Sequence, residues 1–577
     1  MRARLAMDPA PAPLPWLRHY GDVPAHLDYP QRTLYQMVAA AAARDPDAIA
    51  WDFLDHRSTY RQLLADIDRC ADALAALGLV RDARLLIALP TSPQAVIAFY
   101  AANRLGAVPA LIHPLSTPPE IAHYLDATGA EIMLALDAFH ANVAAARPKR
   151  PLRRLVLARI GDTLSPLARA VFWLRKGRHI AKVPPEANVL WWRDLMRAPH
   201  AHVAAADRDT DASAAILFSG GTTALPKGIV LSNRNFIAQG LQATTWGGIR
   251  AGDSILAILP VFHGFGLGVC VNAALMAGAT SILVPTFDAA GVARLIRRKR
   301  PGFLVGVPTL YAALARDAGL AKDDLSCLRA AFCGADTLPR PVKEAFEAMV
   351  ARAGGRVHLL EGYGLTEAVT AIMAMPVGQY REGSIGVPFP DMLAKICAPG
   401  TEREVPPGEE GEICIAGPAV MPGYLDDPDA TRQALRRHAD GRTWLHTGDL
   451  GRQDADGFFY FGVRLKRMIK SSGFNVYPAQ VEAVLLEHPR VAEACVAGVP
   501  DPEQVERVVA WVVPTQAFGD AAAGAQELIA HCRAHLLKWS CPREVHFCAR
   551  LPKTRVGKID YRELQKQHAA RGATPDA

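Results

Sequence analysis

Short apolar runs, each cut off by proline or glycine, recur along most of this chain with amphipathic segments between them. RLLIALP (84–90), AAILFSGG (214–221), SILVP (281–285) and FLVGVP (303–308) are continuously hydrophobic, whereas segments such as ELIAHCRAHLLKW (527–539) carry helical periodicity. A strand that is apolar on both faces must be covered on both, so the alternation predicts α/β layers built on buried, mostly parallel strands. At 577 residues the chain exceeds what one core organises, which predicts two or more domains. The clearest break is YFGVRLKRMIKSSGFNVYP (460–478), where an apolar strand gives way to a basic turn containing serine and glycine. A boundary there makes a large domain, 1–463, and a compact small one, 464–577. The tail after Gln565, KQHAARGATPDA, is expected to fray.

Residues 254–286 contain no Asp, Glu, Lys or Arg and are numerous enough to span a bilayer. Their punctuation argues against a span. Two β-rich runs end at prolines, and HGFGLG between them would set a histidine and three glycines at mid-membrane, so strand, glycine-rich turn, helix and strand are expected. In the opening MRARLAMDPAPAPLPW, proline interrupts before any apolar stretch of signal-peptide length, so no export signal is expected and the protein reads as cytoplasmic. The ten cysteines include no C-x-x-C pair and read as reduced thiols rather than structural zinc ligands, and HCRAHLLKWSC (531–541) reads as a packed helix. A formal charge of +7, without a run of five like charges, suits an enzyme of anionic substrates and predicts no nucleic-acid partner.

One loop carries chemistry on its face. In FSGGTTALPKG (218–228), Gly220 and Gly221 let the backbone approach an anion with its N–H groups turned inward, Thr222 and Thr223 add hydroxyl donors, and Lys227 adds a point charge. The expected ligand is a polyphosphate. A Walker loop would place Gly-Lys before Ser or Thr at a helix start, whereas here the lysine follows proline and precedes Gly228, so this is a phosphate loop of another kind.

Together with five later stretches, the loop resembles the signature set of the AMP-forming adenylating enzymes, which include acyl-CoA synthetases, luciferase and peptide-synthetase adenylation domains. The stretches occur in family order between about residues 30 and 563. In LLEGYGLTEA (359–368), the resemblance implies that Tyr363, beside Gly364, stacks on adenine, Thr366 touches the α-phosphate and Glu367 holds Mg²⁺, a hard cation normally bound by one or two carboxylates plus phosphate oxygens. FCGADTLP (332–339) resembles the turn at the adenine edge, with backbone contacts from Gly334 and Ala335. WLHTGDLG (444–451) matches the ribose motif, with Asp449 accepting both ribose hydroxyls. In GVRLKRMIKSSGFNVYP (462–478), Arg464 would also reach the ribose, Lys466 would be a hinge, and Gly473 would approach the pantetheine of CoA; Arg467 stands where the family usually has an acidic residue. LPKTRVGKIDYREL (551–564) resembles the motif whose lysine, here Lys558, bridges carboxylate and α-phosphate. The loop itself departs from the family pattern at Gly220, after Ser219, where serine is usual, and at Ala224, where glycine is usual.

The implied fold is α/β: a large N-terminal domain of layered α/β subdomains with a small β-barrel-like part, and a small mobile C-terminal α+β domain. The implied reaction is that of a fatty-acid–CoA ligase-like acyl-CoA synthetase, with ATP and Mg²⁺ activating a carboxylic acid as acyl-AMP and CoA as co-substrate. LPVFHGFG (259–266) resembles the acyl-pocket segment, with His263 as gate and Gly264 and Gly266 lining a narrow apolar passage. Segment 164–196 also resembles long-chain acyl-CoA synthetases. On a helix, Leu167, Ala170, Val171 and Leu174 share a face opposite Arg169 and Lys176, a pattern that predicts weak peripheral contact with a membrane surface. Carrier-protein ligation and aryl-acid ligation use the same adenylation residues and stay open as alternatives, as does a binding protein without chemistry.

Overall fold

The computed structural model describes residues 14–572 except 176, 208, 219–225, 465, 466, 468, 472, 473, 502–504 and 555–558. The apolar runs form the centres of two large sheets. Arg84–Ala88 pairs in parallel with Val108–Leu111 and Ile132–Leu136 in an eight-stranded sheet, and Ser254–Ala257 lies between the parallel strands Thr280–Leu283 and Phe303–Gly306 in a nine-stranded one. Antiparallel strands complete both sheets at an edge. Ser213–Phe218 pairs with Gly228–Ser232, and Leu359–Gly364 pairs with Ala371–Ala374.

Helices fill the space between the sheets. Pro93–Arg104 begins at Ser92, whose hydroxyl accepts the Ala95 N–H, and proline occupies the first turn, where its missing N–H costs nothing. All twelve residues of this helix are buried, including Gln94 and Arg104, as a helix covered on every side requires. Asn233–Gly247 is likewise mostly buried, closed at its start by a reciprocal Ser232–Asn235 capping box and at its end by Gly248 at φ +66°.

The charge-free stretch folds as strand, helix and strand inside this core. Its middle, Phe265–Ala273, is a π-helix that passes into the short α-helix Ala274–Ala277. Among the described residues no helix is long and apolar enough to cross a membrane.

A third, five-stranded antiparallel sheet, Leu393–Cys397, Glu410–Ala416, Thr443–Gln453, Leu435–Arg437 and Phe459–Arg464, forms the smaller β part of the large domain. The fourth sheet opens at Ile469 and belongs to the small C-terminal domain. Its long hairpin, Val491–Asp501 with Val505–Pro514, is backed by helices Pro478–Glu487 and Ala521–His535. Leu528 and Cys532 face that core, and Cys541 is buried in the same cluster.

The C-terminal tail departs from expectation. Instead of fraying after Gln565, helix Tyr561–Gly572 continues past it. Its polar side chains dock by hydrogen bonds: Gln565 donates to the Gly498 carbonyl at 2.6 Å, and His568 lies 3.1 Å from Glu544.

Candidate active site

The turn after strand Leu359–Gly364 is forced by close backbone approach. A Cβ on Gly364 would fall 1.7 Å from the Thr370 carbonyl oxygen, so only glycine fits where the chain doubles back. Thr366 and Glu367 sit in the short 3₁₀ turn that follows, and Val369, a β-branched residue, closes it at φ +63° and ψ −60°. Such an outlier persists only where neighbours over-determine it. Here the Glu367 carbonyl accepts the Met421 N–H at 2.7 Å, and the Thr370 carbonyl accepts the Leu365 N–H at 3.0 Å.

Glu367 and Lys227 both contact one tyrosine. Tyr424 donates its hydroxyl to Glu367 Oε1 at 3.0 Å, and its ring centroid lies 5.3 Å from Lys227 Nζ. The contact exists because Gly423–Tyr424 pairs antiparallel with Val230 and Ile229, just after the lysine. Burial, together with the adjacent Glu367, pushes the Tyr424 hydroxyl well above the ordinary range, so it stays protonated and acts as a donor. Lys227 also reaches Asp427 Oδ2 at 3.1 Å. Asp427 caps helix Pro428–Ala434 through the Ala430 N–H, and that bond, then Lys227, holds its carboxyl below the usual carboxylate range.

A second pair lies deeper. Tyr363 donates to Asp449 Oδ2 at 2.7 Å, both residues being buried, and the Asp449 N–H donates to Thr447 Oγ1 at 3.1 Å. Asp449 stands opposite Arg464 in the register of strands Thr443–Gln453 and Phe459–Arg464. Gly334 follows strand Ala330–Cys333, with its N–H donating to the Gly306 carbonyl at 3.1 Å. An added Cβ would come within 3.2 Å of the Gly362 oxygen and 3.3 Å of the Phe265 ring. Ala335 beside it turns at φ +71°.

The segment 259–266 packs on this turn. A Cβ on Gly264 would lie 1.6 Å from the Val369 oxygen, and one on Gly266 would lie 2.3 Å from the Pro260 oxygen. The half-buried His263 precedes them, and its carbonyl accepts the Leu267 N–H at 2.9 Å. These glycines are thus points where backbone meets backbone, which seats the π-helix directly on the Glu367 turn. π-Helical turns concentrate at functional sites.

Of the residues singled out from sequence, the structure gathers Lys227, Gly334, Ala335, Tyr363, Gly364, Thr366, Glu367, Asp449, His263, Gly264 and Gly266 on these adjoining strand ends and turns. Ser219, Gly220, Gly221, Thr222, Thr223, Lys466, Gly473 and Lys558 lie outside the described residues, and Arg464 is described by its backbone alone. The stretch holding Lys558 is flanked by a bridge pairing Lys553 with Ile559. Arg467, basic where an acidic residue was expected, has its own counter-ion in the buried Glu482 and also donates to the Val496 carbonyl at 3.2 Å.

Sequence reasoning passed over Tyr424, Asp427 and Gln239. The Asp-Pro pair at 427–428 is a readable helix start, but its tie to Lys227 depends on a strand pairing some two hundred residues apart in sequence. Gln239 is fully buried, its amide oxygen lies 2.8 Å from where a Cβ on Gly268 would stand, and neither amide atom has a hydrogen-bond partner among the described residues.

Two family models match the chain: AMP-binding enzyme over residues 38–425, and AMP-binding enzyme C-terminal domain over 480–558. A long-chain-fatty-acid–CoA ligase of Bacillus subtilis is 33% identical over 561 residues, covering 96% of this chain and 98% of its own. Among solved structures, the anthranilate CoA ligase AuaEII in complex with anthranoyl-AMP superposes with a TM-score of 0.81 at 25% identity, covering 95% of this chain and 99% of its own. ATP-bound MatB from Rhodopseudomonas palustris does so with a TM-score of 0.79 at 26% identity, covering 93% and 99%. Matched at both domains and spanned nearly end to end by these relatives, the chain belongs to the AMP-binding enzymes, the adenylate-forming acid–CoA ligases.

Proposed function

We propose that this chain activates a medium- or long-chain fatty acid with ATP, forming acyl-AMP and pyrophosphate, and then transfers the acyl group to CoA with release of AMP. The observation that carries the reading is the pairing of Lys227 and Glu367 around Tyr424, next to the buried Tyr363–Asp449 pair. Cationic and anionic groups for a triphosphate then adjoin an aromatic ring and a carboxylate suited to adenine and ribose.

A carboxylate is a poor acyl donor because hydroxide is a poor leaving group. In the proposed mechanism its oxygen attacks the α-phosphorus while the bond to pyrophosphate breaks. Lys227, with Thr222 and Thr223 and the backbone of 219–221, stabilises the departing charge, and Lys558 offsets charge at the pentavalent centre. Both ammonium groups, with a reference pKa of about 10.4, stay charged at neutral pH without activation. Glu367 supplies one hard carboxylate oxygen, which fits Mg²⁺, and the ion when bound would neutralise phosphate charge and orient the leaving group. Tyr363 faces adenine, Thr366 the α-phosphate, and Asp449 with Arg464 the ribose. Gly334 and Ala335 border the base.

For the second half-reaction the small domain, 464–577, rotates about Lys466, withdrawing Lys558 and bringing Gly473 to the thiol's tunnel. CoA is the acceptor; holo carrier protein offered against CoA in competition separates the two. His263 gates the acid pocket, and Gly264 and Gly266 narrow it. Because the related ligases named above include one for a long-chain fatty acid and one for anthranilate, an acid panel scored by pyrophosphate release is the test. Hydroxylated and aryl acids belong in it because Gln239 offers a buried amide beside Gly268. Preference for an aryl acid would overturn the fatty-acid assignment.

Weak, reversible contact with an anionic membrane surface completes the reading. On helix Pro166–Arg175, Arg169 hydrogen-bonds inward to the Gly161 and Leu164 carbonyls, while Leu167, Val171 and Leu174 are exposed, Leu167 at 78%. Arg175, Arg178 and Lys182, all exposed, follow in sequence, and Lys176 lies outside the described residues. Vesicle sedimentation stronger with anionic than with neutral lipid is expected, and equal sedimentation with both would refute the contact.

A further inference from the structure

On one face of the five-stranded sheet, register brings together four side chains that no sequence spacing connects. Cys397 stands opposite Glu412, and Cys414 stands opposite His446 on the next strand. Cys397 packs in the same buried cluster as Cys414, with its thiol donating to the Glu402 carbonyl at 3.8 Å. Cys414 Sγ lies 3.6 Å from His446 Nδ1, which in turn lies 2.9 Å from Glu412 Oε2. All four side chains are buried, Cys397 and Cys414 completely.

We propose that Cys414, His446 and Glu412, whose ligand atoms lie within 4.8 Å of one another, bind one zinc ion, with Cys397 on the neighbouring strand as the fourth ligand once its thiol turns from the Glu402 carbonyl. The donor set, two sulfurs, one imidazole nitrogen and one carboxylate oxygen, is of the kind that a tetrahedral zinc site takes. With Zn–S near 2.3 Å and Zn–N near 2.0–2.1 Å, a tetrahedral S···N edge is about 3.6 Å, the separation found between Cys414 and His446. The His446–Glu412 contact is a hydrogen bond that would open by roughly half an ångström as the metal replaces its proton. The cysteines are diagonal partners, because Cys397 faces Glu412 and Cys414 faces Lys395. Diagonal Cα atoms stand roughly 7–8 Å apart, beyond comfortable disulfide reach, so this arrangement suits a dithiol with a metal between the sulfurs better than an S–S bond.

His438 completes the surroundings. Its Nε2 lies 2.9 Å from His446 Nε2, and its Nδ1, in a residue only 5% exposed, has no partner among the described residues. On metal binding two thiol protons leave. The His446 proton passes from Nδ1 to Nε2, His438 Nε2 accepts that hydrogen bond, and His438 carries its own proton on Nδ1. A metal-bound imidazole generally donates its other N–H in this way. Lys395, opposite Cys414, offsets the excess negative charge of two thiolates and a carboxylate around a divalent ion. The ion would join three strands directly behind the nucleotide site, since Glu412 Oε1 also accepts the Gly448 N–H at 2.9 Å and Asp449 follows. It is therefore a structural staple and not part of the reaction.

Full-length protein produced in zinc-depleted, cobalt-supplemented medium tests the site without requiring a metal to enter a closed core. The expected result is one cobalt per chain, with thiolate-to-cobalt charge-transfer absorption in the near ultraviolet and the intense visible bands of a tetrahedral ion. Cys397→Ser and Cys414→Ser each lose about half or more of the charge-transfer absorption, one of two thiolates being gone, whereas Cys532→Ser, a buried cysteine in the small domain, retains it. Wild-type protein without thiolate–cobalt absorption would overturn the proposal even if a variant failed to fold, as would an unchanged spectrum in Cys414→Ser.

Discussion

Replacing Tyr363 by phenylalanine keeps the ring and removes one hydroxyl, which donates to Asp449 Oδ2 at 2.7 Å. Asp449 is 2% exposed, so water replaces the lost donor only poorly. A hydrogen bond to a charged group contributes about 1.5–3 kcal/mol, and the free enzyme is expected to lose about that much stability. Nucleotide should return part of it. If the ribose hydroxyls donate to the same carboxylate, AMP binds a group that the variant has left poorer in donors, so saturating AMP stabilises Tyr363→Phe more than wild type. Denaturant unfolding with and without AMP reads both quantities. Equal stability of the two proteins would refute the assigned hydrogen bond. An equal loss with and without AMP would refute the assignment of Asp449 to the ribose.

Four further substitutions, with one control, probe other parts of the site. Glu367→Gln removes one carboxylate charge beside the triphosphate and should lose most adenylation at limiting Mg²⁺; unchanged pyrophosphate release there would sink the metal role. Lys558→Ala should abolish acyl-AMP synthesis yet convert supplied acyl-AMP and CoA to thioester, while Lys466→Pro, by fixing φ at the hinge, should spare the first half-reaction and impair the second; parallel losses in both variants would contradict this division. Gly364→Ala forces a Cβ into the Thr370 backbone and should cost about 3 kcal/mol or more, whereas Gly378→Ala, at φ +92° with open space around it, should cost only about 1–2 kcal/mol; indistinguishable melting temperatures would refute the steric account.

The parallel strands were legible because their signal is local: runs such as RLLIALP are apolar on both faces whatever they pair with. The candidate nucleotide residues stood out through short stretches whose residue types match a known chemistry. What escaped depends on pairing. Tyr424 reaches Glu367 only because its strand lies beside Gly228–Ser232, and nothing near position 424 announces that neighbour. The glycines at 264 and 266 read as a turn, but they let a π-helix seat itself against carbonyl groups of other segments. The tail misled for the opposite reason. Its polar composition predicts fraying, yet Gln565 and His568 find fixed partners on the hairpin and the neighbouring strand.

Acid-dependent exchange of labelled pyrophosphate into ATP tests the central claim most directly, because it reports reversible formation of an acyl-adenylate and needs no thiol. Exchange is expected with medium- or long-chain fatty acids, to require Mg²⁺, and to yield AMP when CoA is added. Release of ADP and phosphate, or exchange that does not depend on a carboxylic acid, would contradict it.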